Sequence, residues 1–311
     1  MVKPGGSADS HTLVVIAGPT AVGKTAVAIH VARALNTSII SADSRQFYRE
    51  MEIGTAVPSK EQLSQATHYL IGNLSVHDVY NVSRFEQDVL TLLPDLFSQN
   101  PVVVMVGGSG LYIQAACHGI GDLPDADPEL RDSLHTRLSQ EGLAPLRAML
   151  QKLDPDYAAG VDPANPNRII RALEVCLTTG RTYTSFRNHL PVQRSFRIVK
   201  VGLDLPRALL HQQINARVDQ MMAEGLEDEA RRLYPLRHLN ALNTVGYREL
   251  FGYFEGHSSL PEAVEKIKTN TRRYARRQLT WFRKDKDFTW LPPESDTVMQ
   301  WLNQKMLGGG G

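Results

Sequence analysis

The sequence feature that most constrains this chain is a glycine-rich loop between an apolar run and a helix-like run. The apolar β-branched run 14–16 precedes the loop, and a helical pattern follows it over 26–35. In this order of strand, loop and helix, backbone N–H groups can surround a phosphate at the positive end of a helix. The predicted phosphate-binding residues are Gly18, Pro19, Thr20, Ala21, Val22, Gly23, Lys24 and Thr25.

Two side chains of this loop have separate predicted tasks. Lys24 would reach the terminal phosphates, and the Thr25 hydroxyl would hold Mg²⁺, which prefers oxygen ligands. A lysine at the start of a helix is more often a solvated surface charge. The strand before the loop and the helix after it favour phosphate binding, but the loop does not identify the phosphate compound.

Four short β-branched runs alternate with helical patterns along the chain. This alternation predicts an α/β fold like that of P-loop NTPases, with a parallel sheet covered by helices on both faces. The predicted strands cover 13–17, 38–42, 101–106 and 198–203. Ligands of such sheets bind at the carboxyl ends of the strands. The residues at those ends are the 18–25 loop, Asp43, the Gly-Gly-Ser-Gly turn at 107–110 and Asp204.

The character of the sequence changes between 122 and 194, where turn-forming residues separate helical segments with few β-branched residues. Because the sheet pattern resumes at Arg197, we interpret 122–194 as an inserted helical subdomain that binds RNA. The core domain would comprise 1–121 and 195–311, and the chain from Ala208 onward is expected to be helical. The stretches 1–10 and 306–311 are expected to be disordered.

Composition argues against several classes of protein. The two cysteines, Cys117 and Cys176, show no metal-ligand spacing, so neither a disulfide framework nor a zinc site is predicted. The longest apolar runs are too short to span a bilayer, and the first ten residues lack the apolar core of a signal peptide. We therefore expect a cytoplasmic monomer without a membrane partner.

The net charge of +1 conceals a strongly basic segment. Nine Lys and Arg residues and a single acid, Asp285, lie in 266–286, so this segment carries +8 and the rest of the chain −7. On a helical projection most of these basic residues share one half of the circumference, and the other half includes Ile267 and Trp281. Such a face is usually only solvated. Because it has so few acidic neighbours, it also predicts contact with a nucleic-acid backbone.

A second group of arginines lies in or beside the predicted insertion, at positions 168, 171, 181, 187, 194 and 197. These side chains could also contact RNA. Pairing of Arg171 or Arg181 with Glu174 within a helix is an equally good interpretation. For Arg217, a structural salt bridge is likewise an equally good interpretation.

Asp43 ends a predicted buried strand, which would open its carboxylate onto the phosphate site. It could cap a turn, or act as a general base or an indirect Mg²⁺ ligand, and we favour a functional role. The second acid with which phosphate-loop NTPases hold Mg²⁺ is not found, since the strand 102–106 ends in Gly-Gly-Ser-Gly. Asp204 cannot be assigned to the metal. NTP hydrolysis is thus less well supported than phosphate binding. Ser109 in the turn could offer a hydroxyl to a ligand, and a plain tight turn at 107–110 is an equally good interpretation.

Seven segments in order resemble one enzyme family. They are Gly-Pro-Thr-Ala-Val-Gly-Lys-Thr (18–25), Ser-Ala-Asp-Ser-Arg-Gln (41–46), Met-Glu-Ile-Gly-Thr-Ala (51–56), Gly-Gly-Ser-Gly-Leu-Tyr (107–112), Asn-Arg-Ile-Ile-Arg-Ala-Leu-Glu (167–174), Val-Gly-Tyr-Arg-Glu (245–249) and Arg-Arg-Gln-Leu-Thr-Trp-Phe-Arg (276–283). From about residue 13 to residue 295 the chain is similar to the tRNA dimethylallyltransferase (tRNA isopentenyltransferase) family. Ser109 stands where threonine is common in that family and retains the hydroxyl.

The resemblance implies an Mg²⁺-dependent prenyl transfer. The loop would hold the diphosphate of dimethylallyl diphosphate, and the basic surfaces would bind a tRNA anticodon stem-loop. The five-carbon group would pass to N6 of the adenosine immediately 3′ of the anticodon. The catalytic residues implied are Asp43, Lys24, Arg217 and Ser109. The tRNA-binding residues implied are Asp43, Ser44, Arg45, Gln46, Ser109, Arg131, Asn167, Arg168, Ile169, Ile170, Arg171, Asn243, Thr244, Val245, Gly246, Tyr247, Arg248, Thr271, Arg272, Arg273, Tyr274, Ala275, Arg276, Arg277 and Gln278.

Three other functions stay open from the sequence. An isopentenyltransferase acting on free adenine nucleotides would keep the loop and Asp43, but it has less need of the insertion and the basic segment. A phosphate-loop NTPase or nucleoside kinase would turn over ATP and gives no reason for two arginine-rich surfaces. A non-catalytic RNA-binding protein would not depend on Lys24.

Overall fold

Six parallel strands form one sheet in the computed structural model, which describes residues 11–120, 124, 127–187 and 192–307. The strands are β1 (Thr12–Ala17), β2 (Ile39–Ser41), β3 (His68–Tyr69), β4 (Val102–Gly107), β5 (Arg197–Leu203) and β6 (Phe288–Leu291). Their order is β3-β2-β4-β1-β5-β6, with every pair parallel. The predicted α/β fold with a parallel sheet is confirmed.

Helices follow most of the strands. They are α1 (Lys24–Ala34), α2 (Lys60–Gln65), α3 (Val82–Gln99), α4 (Gly110–His118), α5 (Pro128–Glu141), α6 (Leu143–Leu153), α7 (Pro155–Gly160), α8 (Pro166–Thr179), α9 (Tyr183–Arg187), α10 (Arg207–Ala223), α11 (Leu226–Leu233), α12 (Tyr247–Phe254), α13 (Leu260–Phe282) and α14 (Ser295–Leu307). Short 3₁₀ helices cover Tyr234–Leu236 and Asn240–Leu242.

The β1 strand is buried along its whole length because it lies between β4 and β5. Alternate residues of a strand point to opposite faces of the sheet. Leu13 and Val15 accordingly belong to one hydrophobic core with Phe85, while Val14 and Ile16 belong to another. Because both faces are covered, a nearly continuous apolar run is needed, and this is the pattern that predicted the strand.

The long basic helix α13 begins at a capping box. The Ser259 backbone N–H donates to the Glu262 carboxylate at 2.8 Å, and Pro261 occupies the first helical turn, where its missing N–H costs nothing. The buried Ala263, Ile267, Ala275 and Phe282 lie on one side of the helix. The predicted amphipathic helix over the basic segment is therefore present.

The structure corrects three expectations about elements. The C-terminal part is not wholly helical, because Phe288–Leu291 forms β6 beside β5. The strand β3 also lay outside the four predicted strands. Both are edge strands of two to four residues, too short for a periodic pattern. Residues 306 and 307 belong to α14 rather than to a disordered tail. The stretches 1–10 and 308–311 lie outside the described residues.

The chain divides into two compact units, one comprising Met1–Cys117 and Arg194–Gly311, the other His118–Gln193. Of the predicted insertion 122–194, residues 122–193 belong to the second unit and Arg194 to the first. This unit has its own core, which includes Leu134, Leu146 and Leu173. Both cysteines are free and buried. Within the part of the chain that the structure describes, no helix has the length and apolarity needed to cross a bilayer.

Candidate active site

The 18–25 loop curves from the end of β1 into α1. Its backbone takes left-handed conformations at Ala21 (φ 64°) and at Gly23 (φ 99°), directly before the helix. Glycine adopts that conformation without the steric cost of a Cβ. The first-turn N–H groups of α1 have no partner within the helix, so they remain donors for an anion at this point. The predicted order of strand, loop and helix is confirmed.

Lys24 is the first residue of α1, and its ammonium lies over the loop. The Nζ atom donates to the Pro19 carbonyl oxygen at 2.7 Å. Burial lowers the pKa of Lys24 to about 8; the negative charge of Asp43 opposes this shift, and the positive charge of Arg217 adds to it. An anion bound in the loop would favour the charged form of this lysine.

Arg217 of α10 reaches the same loop. Its Nη1 donates to the Thr20 hydroxyl at 3.4 Å, and burial lowers its pKa while the charge of Asp43 raises it. The fold thus brings Lys24, Arg217 and Asp43 together from three distant parts of the sequence. The result is a site with two cations and one carboxylate at the carboxyl ends of β1 and β2.

Asp43 follows β2. Its carboxylate caps a turn and also faces this site. One carboxylate oxygen, Oδ1, accepts from the Arg45 backbone N–H at 3.0 Å. The turn-capping interpretation therefore holds, and the carboxylate also lines a cavity beside Thr20 and Arg217. A capped turn fixes the carboxylate with respect to the backbone, which is what a positioned base requires.

The Ser109 hydroxyl lies beside Asp43. Its Oγ accepts from the Ser44 backbone N–H at 2.9 Å, and a further hydrogen bond joins it to the Tyr274 hydroxyl. Burial and the charge of Asp43 raise the pKa of Tyr274, so this phenol stays protonated. The turn 107–110 and α13 thereby meet the Asp43 loop at one hydroxyl.

Gln278 ties the phosphate loop to the same turn. Its side chain is buried; Oε1 accepts from the Thr20 backbone N–H at 2.9 Å, and Nε2 donates to the Gly108 carbonyl oxygen at 2.9 Å. The amide is therefore used within the protein, and the contact of Gln278 with RNA stays a prediction. Gln278 holds two loops of the site in register.

A cavity of about 110 Å³ opens between these groups. Its lining combines the polar side chains of Thr20, Asp43 and Arg217 with an apolar wall. The apolar wall consists of Ile214, Val218, Met221, Leu226, Val245 and Ile267. An arrangement of this kind suits a ligand with a charged head and a small hydrocarbon tail.

Asp204 follows β5 and pairs with Arg283, the residue directly after α13. Its Oδ2 accepts from Arg283 Nη2 at 2.5 Å, and its Oδ1 accepts from the Leu205 backbone N–H at 2.8 Å. The carboxylate is therefore a partner of the basic helix. This agrees with leaving Asp204 unassigned to a metal.

The basic residues of α13 differ in what they can contact. Arg273, Arg276 and Arg277 are exposed. Arg272 is partly buried and donates to Asn215 Oδ1 at 2.6 Å and to the Thr269 hydroxyl at 2.8 Å. Its donors are thus used between α13 and α10. The side chain of Ala275 is buried in the core, and the RNA contact of this residue stays a prediction.

The segment 243–248 is divided in the same way. Thr244, Val245 and Gly246 line the cavity, as do Thr271 and Tyr274 of α13. Asn243 and Arg248 are exposed. Tyr247 is fully buried and its hydroxyl donates to Glu229 Oε1 at 2.7 Å, and its contact with RNA stays a prediction.

Two predicted RNA-binding residues near Asp43 donate hydrogen bonds to backbone carbonyl oxygens of other segments. Arg45 Nη1 donates to the carbonyl oxygens of Asn240 and Ala241, each at 3.0 Å. Gln46 Nε2 donates to the carbonyl oxygens of Thr55 and Ala56 at 3.1 and 3.0 Å. Ser44 is partly exposed beside them.

In the helical unit two arginines of the predicted RNA surface, Arg131 and Arg171, share one acid. Arg131 makes two hydrogen bonds to the buried Glu174 carboxylate, and Arg171 Nη1 donates to it at 3.3 Å. The sequence left the pairing of Arg171 with Glu174 open, and the structure contains this ion pair. Asn167 and Arg168 are exposed, whereas the side chains of Ile169 and Ile170 lie in the core of this unit. The RNA contact of this segment stays a prediction.

Sequence reasoning missed the opposite wall of the cavity. Gly54, Thr55 and Ala56 line it, and Glu229 of α11 holds the backbone just before them. The segment 51–56 was among the resembling motifs without an assigned task. No local pattern marks Glu229, because its four donors come from distant parts of the chain.

Comparisons with known proteins show the family of this chain. A family model described as IPP transferase matches residues 46–285. The tRNA dimethylallyltransferase 2 of Parabacteroides distasonis is 50% identical over 298 residues, covering 96% of this chain and 100% of that protein. The tRNA dimethylallyltransferase of Christiangramia forsetii is 48% identical over 299 residues, covering 96% of this chain and 99% of that protein.

Solved structures are similar over the same length. The full-length tRNA isopentenylpyrophosphate transferase from Bacillus halodurans has a TM-score of 0.69 at 37% identity, with 96% of each chain covered. A eukaryotic dimethylallyltransferase acting on tRNA has a TM-score of 0.80 at 23% identity, covering 96% of this chain and 80% of that one. The second likeness supports the fold alone.

Proposed function

Since this chain belongs to the IPP transferase family, as its sequence motifs indicated, we propose that it is a tRNA dimethylallyltransferase. It transfers the five-carbon group of dimethylallyl diphosphate to N6 of the adenosine immediately 3′ of the anticodon. The observation that carries the proposal is the cavity with Asp43, Thr20 and Arg217 in its polar lining and an apolar wall beside the phosphate loop. A diphosphate joined to a branched hydrocarbon matches both parts.

The leaving group would be stabilised by the loop and two cations. As the allylic C–O bond breaks, its electron pair passes to the diphosphate oxygen. Lys24, Arg217 and the N–H groups at the start of α1 would stabilise the growing negative charge, since both cations lie at the phosphate loop. Because these groups are partly buried and fixed before reaction, they need little reorganisation.

The nucleophile is the exocyclic amine of adenine, which is weak because its lone pair is delocalised into the ring. The new bond forms between N6 and the allylic carbon, and the N6 proton passes to Asp43. Ser109 and Tyr274, hydrogen-bonded to each other next to Asp43, would orient the amine. The base must leave its stack to reach this site.

The residues present fit Mg²⁺. Thr25 lies in the first turn of α1, next to Lys24, and supplies a hydroxyl oxygen. Mg²⁺ is commonly held by one or two protein oxygens together with substrate phosphates, so a single hydroxyl suffices once the diphosphate is present. Bound there, the ion would neutralise part of the diphosphate charge.

The exposed Arg273, Arg276 and Arg277 of α13 would bind the phosphate backbone of the anticodon stem-loop. In the helical unit, Asn167 and Arg168 are exposed and would also contact RNA. Action as a cytoplasmic monomer stays a prediction.

The direct test is incubation of the protein with unmodified tRNA, Mg²⁺ and labelled dimethylallyl diphosphate, with AMP and ATP as parallel acceptors. Label in tRNA alone supports the proposal. Label in AMP or ATP would instead indicate a nucleotide-specific isopentenyltransferase. Hydrolysis of ATP without any transfer would indicate an NTPase.

Lys24→Ala is expected to lower kcat/KM for dimethylallyl diphosphate by roughly 10²- to 10³-fold, as removal of one preorganised donor does. In the wild type, Lys24 is charged below its pKa of about 8 and neutral above it. The KM for the diphosphate should therefore rise as the pH passes through this value. In Lys24→Arg this rise should vanish, because a guanidinium stays charged. A wild-type KM that is constant across the range would contradict the proposed role.

A further inference from the structure

An exposed tryptophan on α13 has no task in the proposed reaction. The Trp281 side chain is 40% exposed, although the helical projection places it on the apolar half. Its indole lies against Gly110, where a Cβ would be 2.1 Å from Trp281 Cδ1. Any side chain at 110 would displace the ring. The glycine therefore allows the indole to lie at this position, where part of it faces solvent.

The Trp281 indole lies next to two elements of the proposed active site. Trp281 lies three residues after Gln278, which holds the Thr20 N–H and the Gly108 carbonyl. Gly110, the residue beneath the indole, follows Ser109, whose hydroxyl accepts from the Ser44 N–H. The exposed ring therefore borders the turn that meets Asp43.

The surroundings of Trp281 on its helix are positively charged. Arg277 lies four residues before it and Lys284 three residues after it, so both are neighbours on the same face, and both are exposed. A further turn follows the last residue of α13, Phe282, because the Lys284 backbone N–H donates to the Trp281 carbonyl oxygen at 3.2 Å. The acid that follows, Asp285, accepts from the buried Lys200 at 2.7 Å.

We propose that Trp281 is a stacking platform for an unpaired base of the RNA substrate, with Arg277 and Lys284 holding the flanking phosphates. An aromatic ring between two cations matches single-stranded nucleic acid, whose bases stack while its phosphates pair with lysine and arginine. An apolar protein partner would leave both cations without a counter-charge. The inference rests on the proposed function, because the RNA would be the tRNA whose adenosine enters the site.

The test measures the affinity of the full chain for unmodified tRNA at several salt concentrations. Trp281→Ala should weaken binding about ten-fold, the usual order for one stacked base. Trp281→Phe keeps a ring and should stay within about three-fold of the wild type. Neither should alter the slope of log Kd against log salt, whereas Arg277→Ala should reduce that slope by about one.

Leu209→Ala is the matched control, because Leu209 of α10 is a similarly exposed apolar side chain, and its affinity should equal that of the wild type. Equal affinity of Trp281→Ala and the wild type would overturn the inference and leave the proposed function intact. A variant that changes the oligomeric mass but not RNA affinity would also overturn it, in favour of a protein contact. A wild type that does not bind tRNA would overturn both.

Discussion

Asp43→Asn is expected to abolish most of the prenyl transfer, lowering kcat roughly 10²- to 10⁴-fold, the range associated with loss of a general base. Asparagine keeps a side-chain oxygen that can accept from the Arg45 N–H, so the turn after β2 should persist. The amide cannot take the N6 proton as the new bond forms. The affinity for tRNA should stay within a few-fold of the wild type.

Single-turnover transfer and tRNA affinity, measured side by side, separate the two roles of this residue. Asp204→Asn is the matched control, since Asp204 also follows a strand of the sheet but pairs with Arg283. Its rate should stay close to that of the wild type. If Asp43→Asn lost binding and rate in equal measure, Asp43 would position the RNA and would not be the base.

Glu229→Ala is expected to produce the largest loss of stability, about 3–5 kcal/mol. The buried carboxylate accepts from the backbone N–H groups of Glu52, Ile53 and Gly54 at 2.9 to 3.0 Å and from the Tyr247 hydroxyl. Removing it leaves the buried Tyr247 hydroxyl and three partly buried backbone N–H groups without this acceptor. Urea unfolding and amide exchange at 52–54 would measure the loss globally and locally.

Glu227→Ala supplies the comparison for this variant. Glu227 lies on the same helix and pairs with Arg231 at 2.7 Å near the surface, so its loss should change stability by less than about 1 kcal/mol. Because Gly54 lines the cavity, Glu229→Ala should also raise the KM for dimethylallyl diphosphate. Unaltered amide exchange at 52–54 would show that Glu229 does not hold that segment.

Local patterns were sufficient for the centre of the fold. The strand–loop–helix order at 12–34, the position of Asp43 after a buried strand and the capped helix α13 depend on short-range periodicity and turn chemistry, which the sequence displays directly. The edge strands β3 and β6 were missed because two to four residues form a strand only when a neighbouring strand supplies the hydrogen bonds.

Charge patterns alone were less decisive. The basic residues of α13 all had the same appearance in the sequence, yet Arg272 binds Asn215, Arg283 binds Asp204, and Arg276 is exposed. Arg131 and Arg171 likewise share Glu174. Whether a cation is available to a ligand depends on which distant acid or amide the fold brings beside it.

The sequence by itself determined a phosphate-binding loop in a parallel α/β sheet, the carboxylate beside it and the enzyme family that these motifs resemble. Only the tertiary structure decided that Gln278 joins two loops, that Glu229 holds the wall at 52–54 and that an apolar cavity opens beside Arg217. The physical reason is the distance along the sequence between the groups that interact. Loops and strand ends follow from neighbouring residues, whereas a cavity and its hydrogen-bonded walls arise from groups that are adjacent only after folding.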